Sequence, residues 1–377
     1  MVEIRLGRKV APRREVFADG ELVVRSRKGV RPTEKALLGV LPRGRKGSAL
    51  VVNSREGLLG LALKALNPEL DVYCHFDDAW DLEQADRAAR RHGSLPLALA
   101  VAADPPEGPW DIVVLPFSKD GVKDLLLERL EFAHAFLKPG GLVFAGTNNP
   151  RDRFLGGAVR ELFGSATRQP DPTGRLGTAY IARKPRDAVG RFRRREHSFT
   201  VREGERVIGF VSRPGVFSHR GLDLGTRVLL STVDFGRARR VADLGCGVGV
   251  VGTVAALRSP EARVTLVDSY ARAVECAQRN TERLGVAERA EVVLSARTER
   301  DLEPGYDLVV SNPPYYSNDR ICGMFVATAA RVLVPGGRLA LVAKGRRWLE
   351  RIVARHFASY SAVESKGYWV VTAIKGD

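Results

Sequence analysis

The chain has 377 residues, more than one compact core needs and enough for two domains. Its formal net charge of +16 suits a polyanionic partner such as nucleic acid, although a solvated Arg-rich surface gives the same balance and no reaction follows from it. An ordinary apolar share of 44% removes the need for covalent staples; the scattered Cys74, Cys246, Cys276 and Cys322 include no Cys-x-x-Cys pair, which argues against a disulfide framework or zinc site and for a reducing cytoplasm.

Residues 1–48 are basic and weakly patterned, with Arg13-Arg14, Arg25-Ser26-Arg27-Lys28 and Arg43-Gly44-Arg45-Lys46 between short apolar pieces. Short strands and loops are expected there. Ser48 to Asn53 then reads as a buried strand, Leu58 to Leu66 as an apolar helix ended by Asn67-Pro68, and Asp71 to Phe76 as a second strand. Residues 81–92 suit a helix with Leu82, Ala85 and Ala89 on one face and Gly93 as its stop. Strands at Ala98 to Ala102, Asp111 to Leu115 and Gly141 to Ala145, with a helix from Val122 to Leu137, complete a βαβ series. Such alternation implies a mainly parallel sheet covered on both faces.

The series recurs from Val241. Ala49 to Gly60 aligns with Val241 to Gly252 at an offset of 192, Pro116 lies over Pro313 at 197, and Pro139-Gly140-Gly141 lies over Pro335-Gly336-Gly337 at 196. The expected fold is therefore α/β, two tandem Rossmann-like domains from a duplication, each a mainly parallel sheet of the seven-stranded type with helices on both faces. The boundaries expected are a degenerate first domain at 1–182, a basic linker at 183–200 and a catalytic domain at 201–377. In the first half Asn53-Ser54-Arg55-Glu56 replaces the glycine-rich turn and Leu115-Pro116-Phe117-Ser118 replaces Asn-Pro-Pro-Tyr, so this half is expected to keep the fold without the small-molecule site. The linker contains Arg193, Arg194 and Arg195, candidates for contact with RNA, with a plain solvated linker as the alternative.

Val241-Ala242-Asp243-Leu244-Gly245-Cys246-Gly247-Val248-Gly249-Val250-Val251-Gly252 reads as a strand, a glycine-rich turn and a helix start. Glycine lets the backbone turn sharply and a ligand approach closely. The glycine spacing alone also fits a dinucleotide site, but Asp243 at the strand end suits a cationic sulfonium amino acid better than a pyrophosphate. Gly245, Cys246, Gly247 and Gly249 line the cofactor in this reading, Cys246 as a small loop residue rather than a nucleophile. The next strand ends at Asp268, placed for ribose hydroxyls with Ser269 beside it, or simply capping a helix from Ser269 to Leu284. Ser295-Ala296, after the strand Ala290 to Leu294, forms the expected edge of an adenine pocket.

Asp307-Leu308-Val309-Val310-Ser311-Asn312-Pro313-Pro314-Tyr315-Tyr316 is a buried strand that stops at a polar residue, two prolines and two aromatics. The prolines fix φ and push Asn312 towards an extended conformation. The Asn312 oxygen and Pro313 carbonyl can each accept an N–H from a conjugated amine, drawing its lone pair out of the π-system, while Tyr315 stacks on the ring. A proline-terminated strand with core aromatics is the alternative, and the glycine-rich turn upstream favours chemistry.

These motifs together resemble the class I S-adenosylmethionine-dependent methyltransferases that modify planar amino nitrogens. The segment from Arg213 to Leu230, with Pro214-Gly215-Val216-Phe217-Ser218 and Leu222-Asp223-Leu224-Gly225-Thr226, is similar to the signature of the ribosomal RNA guanine-N2 methyltransferases of the RsmC and RlmG type. The resemblance implies that Phe217 and Ser218 border the active site with Tyr315 and Tyr316, and that Gly225 and Thr226 lie beside the cofactor. Members often carry Phe-His after the two prolines, where this chain has Tyr315-Tyr316. The implied reaction is methyl transfer from S-adenosylmethionine, leaving S-adenosylhomocysteine, to a guanine N2 of 16S ribosomal RNA in the 30S subunit. Asn312, Pro313, Pro314 and Tyr315 would be catalytic. A 23S guanine-N2 target, a protein-glutamine or DNA-adenine target, and a non-enzymatic RNA-binding assembly factor are the alternatives. No metal is expected from six unclustered histidines. No apolar run reaches a membrane span and Met1 to Arg5 holds no signal core, so a soluble monomer without a membrane partner is expected.

Overall fold

The computed structural model describes residues 30–92, 96–171, 173–314 and 319–377, and before them three short strands. Those strands, β1 (Ile4–Leu6), β2 (Glu15–Phe17) and β3 (Gly20–Leu22), form a small antiparallel sheet. The basic clusters at Arg13-Arg14 and Arg25 to Lys28 lie outside the described residues. Contacts divide the chain into two compact units, Met1–Arg195 and Glu196–Asp377.

In the first unit α1 (Pro32–Leu38) precedes β4 (Gly47–Val52), α2 (Leu58–Leu66), β5 (Leu70–Phe76), α3 (Ala79–Arg91), β6 (Ala98–Val101), β7 (Trp110–Phe117), α4 (Lys123–Phe136) and β8 (Leu137–Thr147). Then come α5 (Phe154–Phe163), β9 (Thr167–Pro170) and β10 (Thr178–Arg183). The sheet has seven strands in the order β6-β5-β4-β7-β8-β10-β9. Its first five strands pair in parallel, whereas β10 runs antiparallel to both β8 and β9. Helix α3 starts where Asp78 accepts the Trp80 N–H at 2.8 Å, a side-chain cap that satisfies an orphan donor. It buries Ala85 and Ala88; Ala89, expected on the core face, is only half-buried.

The expected linker is not a separate segment in the contact pattern. Residues 184–195 run along the first unit: Lys184 Nζ donates to the carbonyls of Ala135 at 3.1 Å and Leu137 at 2.8 Å, and Phe192 packs edge-on against Phe132. The Arg195 N–H donates to Glu128 at 2.7 Å. The second unit then opens with an antiparallel hairpin, β11 (His197–Glu203) and β12 (Arg206–Ser212).

The second unit continues through α6 (Leu224–Thr232), β13 (Arg240–Leu244), α7 (Val250–Arg258), β14 (Arg263–Asp268), α8 (Ala271–Arg283), β15 (Ala290–Leu294), α9 (Thr298–Asp301) and β16 (Tyr306–Ser311). It closes with α10 (Arg320–Val332), β17 (Leu333–Ala343), α11 (Arg346–Val353), β18 (Ser359–Ser365) and β19 (Tyr368–Ile374). Its seven strands are ordered β15-β14-β13-β16-β17-β19-β18, the same permutation as in the first unit. Strands buried on both faces read as continuous apolar runs. Val241 of β13 joins one core cluster while Ala242 and Leu244 join another on the opposite face, as the two-residue period of a strand requires.

The duplication extends to individual contacts. Asp111 Oδ2 accepts the Ser48 N–H at 2.8 Å in the first unit, and Asp307 Oδ2 accepts the Arg240 N–H at 2.8 Å in the second. Strand pairing also corrects the alignment of the halves. Val51 pairs with Val114 and Asp243 with Val310, so Pro116 stands at the place of Asn312, one residue from the match with Pro313 read from the sequence. Matching proline to proline slid the frame by one, whereas the strand ladder and the Pro-Gly-Gly turns share one register.

Candidate functional site

The order of the second sheet reverses between β13 and β16, and ligands of such sheets bind outside the carboxyl ends of the strands at that point. Strand β16 ends there on Ser311, whose hydroxyl donates to the carbonyl of Leu244, the last residue of β13, at 2.6 Å and holds the two ends together. After β13 the glycine turn is tied to the neighbouring strand: the N–H groups of Gly245 and Cys246 donate to the Val267 carbonyl at 2.8 and 3.0 Å. Gly247 has φ +57 and a Cβ there would meet nothing within 4 Å, so the turn presents bare backbone to open space. Gly249 has φ +83, and a Cβ would lie 2.9 Å from Leu266 Cδ2 and 3.0 Å from Ala277 Cβ. It is glycine both for its left-handed backbone and for the close packing of α7 on α8 and β14.

Two carboxyl groups flank this turn. Asp243 is buried and its Oδ2 accepts the Gly252 N–H at 2.8 Å. Burial pushes its pKa up to about 7, the Gly252 bond working against that and the Asp268 charge adding to it. Asp268 Oδ2 accepts the Gly247 N–H and Oδ1 the Tyr270 N–H, each at 2.9 Å. Burial also raises Asp268, against the pull of these backbone donors. Asp268 therefore orders the start of α8, as the capping reading expected, and it also fixes the turn at Gly247, a contact the sequence did not suggest. The Ser295 N–H donates to the Asp268 carbonyl at 2.9 Å, which brings Ser295 and the adjoining Ala296 to the same edge with Ser269. The Ser295 hydroxyl is spent within its own loop, on Asp301 Oδ2 at 2.5 Å. Cys246 is buried and its thiol is held well above its ordinary pKa by burial first and then by Asp268 and Asp243, so it stays protonated and inert as a nucleophile.

Asn312, beyond the end of β16, is half-buried, and its Nδ2 donates to Asp223 Oδ2 at 2.9 Å and to Thr226 Oγ1 at 3.0 Å. Asp223 is the N-cap of α6 and also accepts the Thr226 N–H at 3.1 Å. Thr226, expected beside the cofactor, thus touches the Asn312 amide. Pro313 is buried and Pro314 half-buried; Tyr315 and Tyr316 lie outside the described residues. Of the residues expected to border the site, Phe217 is exposed, and Ser218, with φ +57, donates its hydroxyl to the Gly221 carbonyl at 2.7 Å. Arg194 and Arg195 are engaged inside the first unit, with Asp104 at 3.0 Å and with Glu131 at 2.5 Å respectively, while the Arg193 side chain is exposed.

Two roles were missed in the sequence. Asp223 lay inside the Leu-Asp-x-Gly-Thr signature, and its place before a helix was a readable cap signal. Arg213 and Arg272 are fully buried; Arg213 pairs with Glu275 at 2.7 Å and Arg272 donates to the Pro214 carbonyl at 3.2 Å, clamping the Pro-Gly-Val-Phe-Ser turn onto α8. No local pattern marks an arginine for burial.

In the first unit the corresponding place is filled from within. By strand pairing Val51 stands where Asp243 does and Phe76 where Asp268 does, so both acids are gone. Glu34 of α1 reaches the turn instead, accepting the Ser54 hydroxyl at 3.1 Å and the Arg55 N–H at 2.7 Å. A cavity of about 200 Å³ remains at the ends of β4 and β7, lined by Asn53, Pro116, Phe117 and Arg129 among others.

The shared strand order, with its glycine turn and strand-end acids, defines the class I methyltransferase fold. The family model described as the methyltransferase small domain matches residues 207–373. Ribosomal RNA small subunit methyltransferase C of Haemophilus influenzae is 34% identical over 168 residues, 44% of this chain and 50% of that protein. Ribosomal RNA large subunit methyltransferase G of Pseudomonas putida is 30% identical over 335 residues, 85% of this chain and 86% of that one. A 16S rRNA N2 methyltransferase (RsmC) of T. thermophilus, solved in complex with AdoMet and guanosine, superposes with a TM-score of 0.77 at 21% identity, covering 99% of this chain and 98% of that one. The matches to the small-subunit enzymes span about half of their length. The chain belongs to the ribosomal RNA guanine-N2 methyltransferase family of the RsmC and RlmG type.

Proposed function

We propose that this protein transfers the methyl group of S-adenosylmethionine to the exocyclic N2 amine of a guanine in small-subunit 16S ribosomal RNA, acting on the 30S particle in the cytoplasm as a monomer. The observation that supports the reading is the Asn312 amide, whose Nδ2 donates to Asp223 Oδ2 and Thr226 Oγ1, an orientation in which Oδ1, the accepting atom, is the one turned away from Asp223. The cofactor supplies an electrophilic methyl group on a cationic sulfur. The glycine turn fits it, with bare backbone at Gly247, Asp243 for the cationic end, and Asp268 and Ser269 for the ribose. Asn312 Oδ1 and the Pro313 carbonyl accept the amine hydrogens and favour the pyramidal nitrogen of the transition state. Tyr315, after Pro314, stacks on a guanine flipped out of its helix, with Phe217 and Ser218 at the rim. No strong base is required, since the nitrogen proton is acidic once the methyl has arrived. The first unit, at 1–182, and the exposed Arg193 hold RNA through phosphate contacts, without a cofactor of their own.

A second target has one specific observation in its favour: the large-subunit enzyme is matched over most of its length. Incubation with radiolabelled S-adenosylmethionine and, separately, unmodified small subunits, large subunits and naked rRNA decides between them. Label in N2-methylguanosine from small subunits is expected. Label from large subunits alone keeps the chemistry and moves the target, and label in no RNA sinks the reading.

A further inference from the structure

An asparagine amide can offer either its oxygen or its nitrogen to a neighbour, and only the oxygen accepts the N–H of an incoming amine. A half-turn of the terminal torsion exchanges the two, and that torsion has a broad, roughly two-fold profile. Pro313 and Pro314 fix the backbone and leave this choice open. It is made 89 residues away in the chain, at the start of α6, where Asp223 Oδ2 takes one Nδ2 hydrogen at 2.9 Å. Thr226 Oγ1 takes the other at 3.0 Å. The two partners are not equivalent. A hydroxyl can donate or accept, so Thr226 would tolerate either orientation. An ionised carboxylate only accepts, and a flipped amide would set oxygen against oxygen at hydrogen-bond distance. Asp223 is itself held, since the same oxygen accepts the Thr226 N–H at 3.1 Å.

We infer that Asp223 is a positioning residue: it selects the Asn312 rotamer whose Oδ1 polarises the substrate amine, with Thr226 as the second clamp. This rests on the reading of Asn312 given above. Helix capping alone would make Asp223 a stability residue with no special tie to Asn312, and a double-mutant cycle separates the two roles.

The full chain is compared as wild type, Asp223→Ala, Asp223→Asn, Asn312→Ala and the Asp223→Ala/Asn312→Ala double variant. The readouts are kcat and KM on the labelled subunit, calorimetric affinity for S-adenosylmethionine, and the side-chain amide resonances of Asn312 in the ligand-free protein. Asn312→Ala should lower kcat by roughly 10²–10³-fold and Asp223→Ala by roughly 10–10²-fold, with KM and cofactor affinity nearly unchanged. Asp223→Ala should cost nothing further in the Asn312→Ala background, and Asp223→Asn, which still presents a carbonyl oxygen, should recover most of the loss. Slow exchange of the Asn312 amide protons should be lost in Asp223→Ala. The inference is overturned if Asp223→Ala keeps wild-type kcat while Asn312→Ala does not, or if it costs the same factor in both backgrounds. If Asn312→Ala itself turns over at close to the wild-type rate, the polarising role of Asn312 fails first and the inference falls with it.

Discussion

Glu34 carries a carboxyl group into a part of the molecule that no reaction uses. It is 2% exposed, and burial pushes its pKa from 4.5 up to about 7, against the opposing pull of Arg31 and the Arg55 N–H. The folded state therefore holds a proton that the unfolded chain releases near pH 4.5. Stability from this group is fully present below that pH and is lost as pH rises towards about 7, a difference on the order of 3 kcal/mol. Asp243, raised to about 7 by burial in the second unit, contributes with the same sign. Glu34→Gln keeps an acceptor for Ser54 and Arg55 and cannot ionise. Denaturant unfolding should find it more stable than wild type at pH 8, with a shallower loss of stability between pH 5 and 7. An unchanged slope would remove Glu34 as a source. Single residues were legible in the sequence where an apolar run ended on them, as for Asp243, Asp268 and Asn312. Glu34 was not, nor was the tie of Asp223 to Asn312 beyond its local cap, because these meanings lie in partners brought close only by tertiary folding.

At the scale of elements the glycine turn separates two uses of one residue type. Gly249 has a left-handed φ and no room for a Cβ, while Gly247 has a left-handed φ and open space above it. Gly249→Ala should therefore cost the backbone strain plus overpacking against Leu266 and Ala277, about 2–4 kcal/mol together. Gly247→Ala should cost only about 1 kcal/mol yet still weaken S-adenosylmethionine, because the new methyl stands on the ligand's face of the turn. Thermal unfolding and calorimetry on both variants test this; equal loss of stability in the two would contradict it. The parallel strands and helices that the sequence reading placed fell within a few residues, since buried apolar runs and Gly or Pro stops mark them, whereas α10 (Arg320–Val332) was not read at all. The hairpin of β11 and β12 and the edge pair of β18 and β19 were not. Edge strands such as β18 are largely exposed, and half-exposed strands lack the continuous apolar signal.

For the whole molecule, two copies of one sheet order carry different residues at matching strand ends. The first unit has Val51 and Phe76 where the second has Asp243 and Asp268, and Arg55 occupies the place of Gly247 in the aligned turns. Isothermal titration of the full chain with S-adenosylmethionine should give one site per chain, and none in Asp243→Ala/Asp268→Ala. A stoichiometry of two would mean that the first unit keeps a pocket the side chains do not reveal. The repeat was legible from glycine and Pro-Gly-Gly spacing. Its frame was set one residue off at the fourth strand, because a proline match weighs more to the eye than a ladder that only the folded sheet displays.

The paired clasps of Asp111 on Ser48 and Asp307 on Arg240 have a further consequence. The same polypeptide holds the same scaffold twice, once with Asp243 and Asp268 near two strand ends and once with Val51 and Phe76 in their places. What the halves share is what the scaffold itself asks for, and where they differ is where any separate task of either half must be written. The molecule thus carries its own internal reference, matched in temperature, solvent and age, against which every change in the working half can be measured.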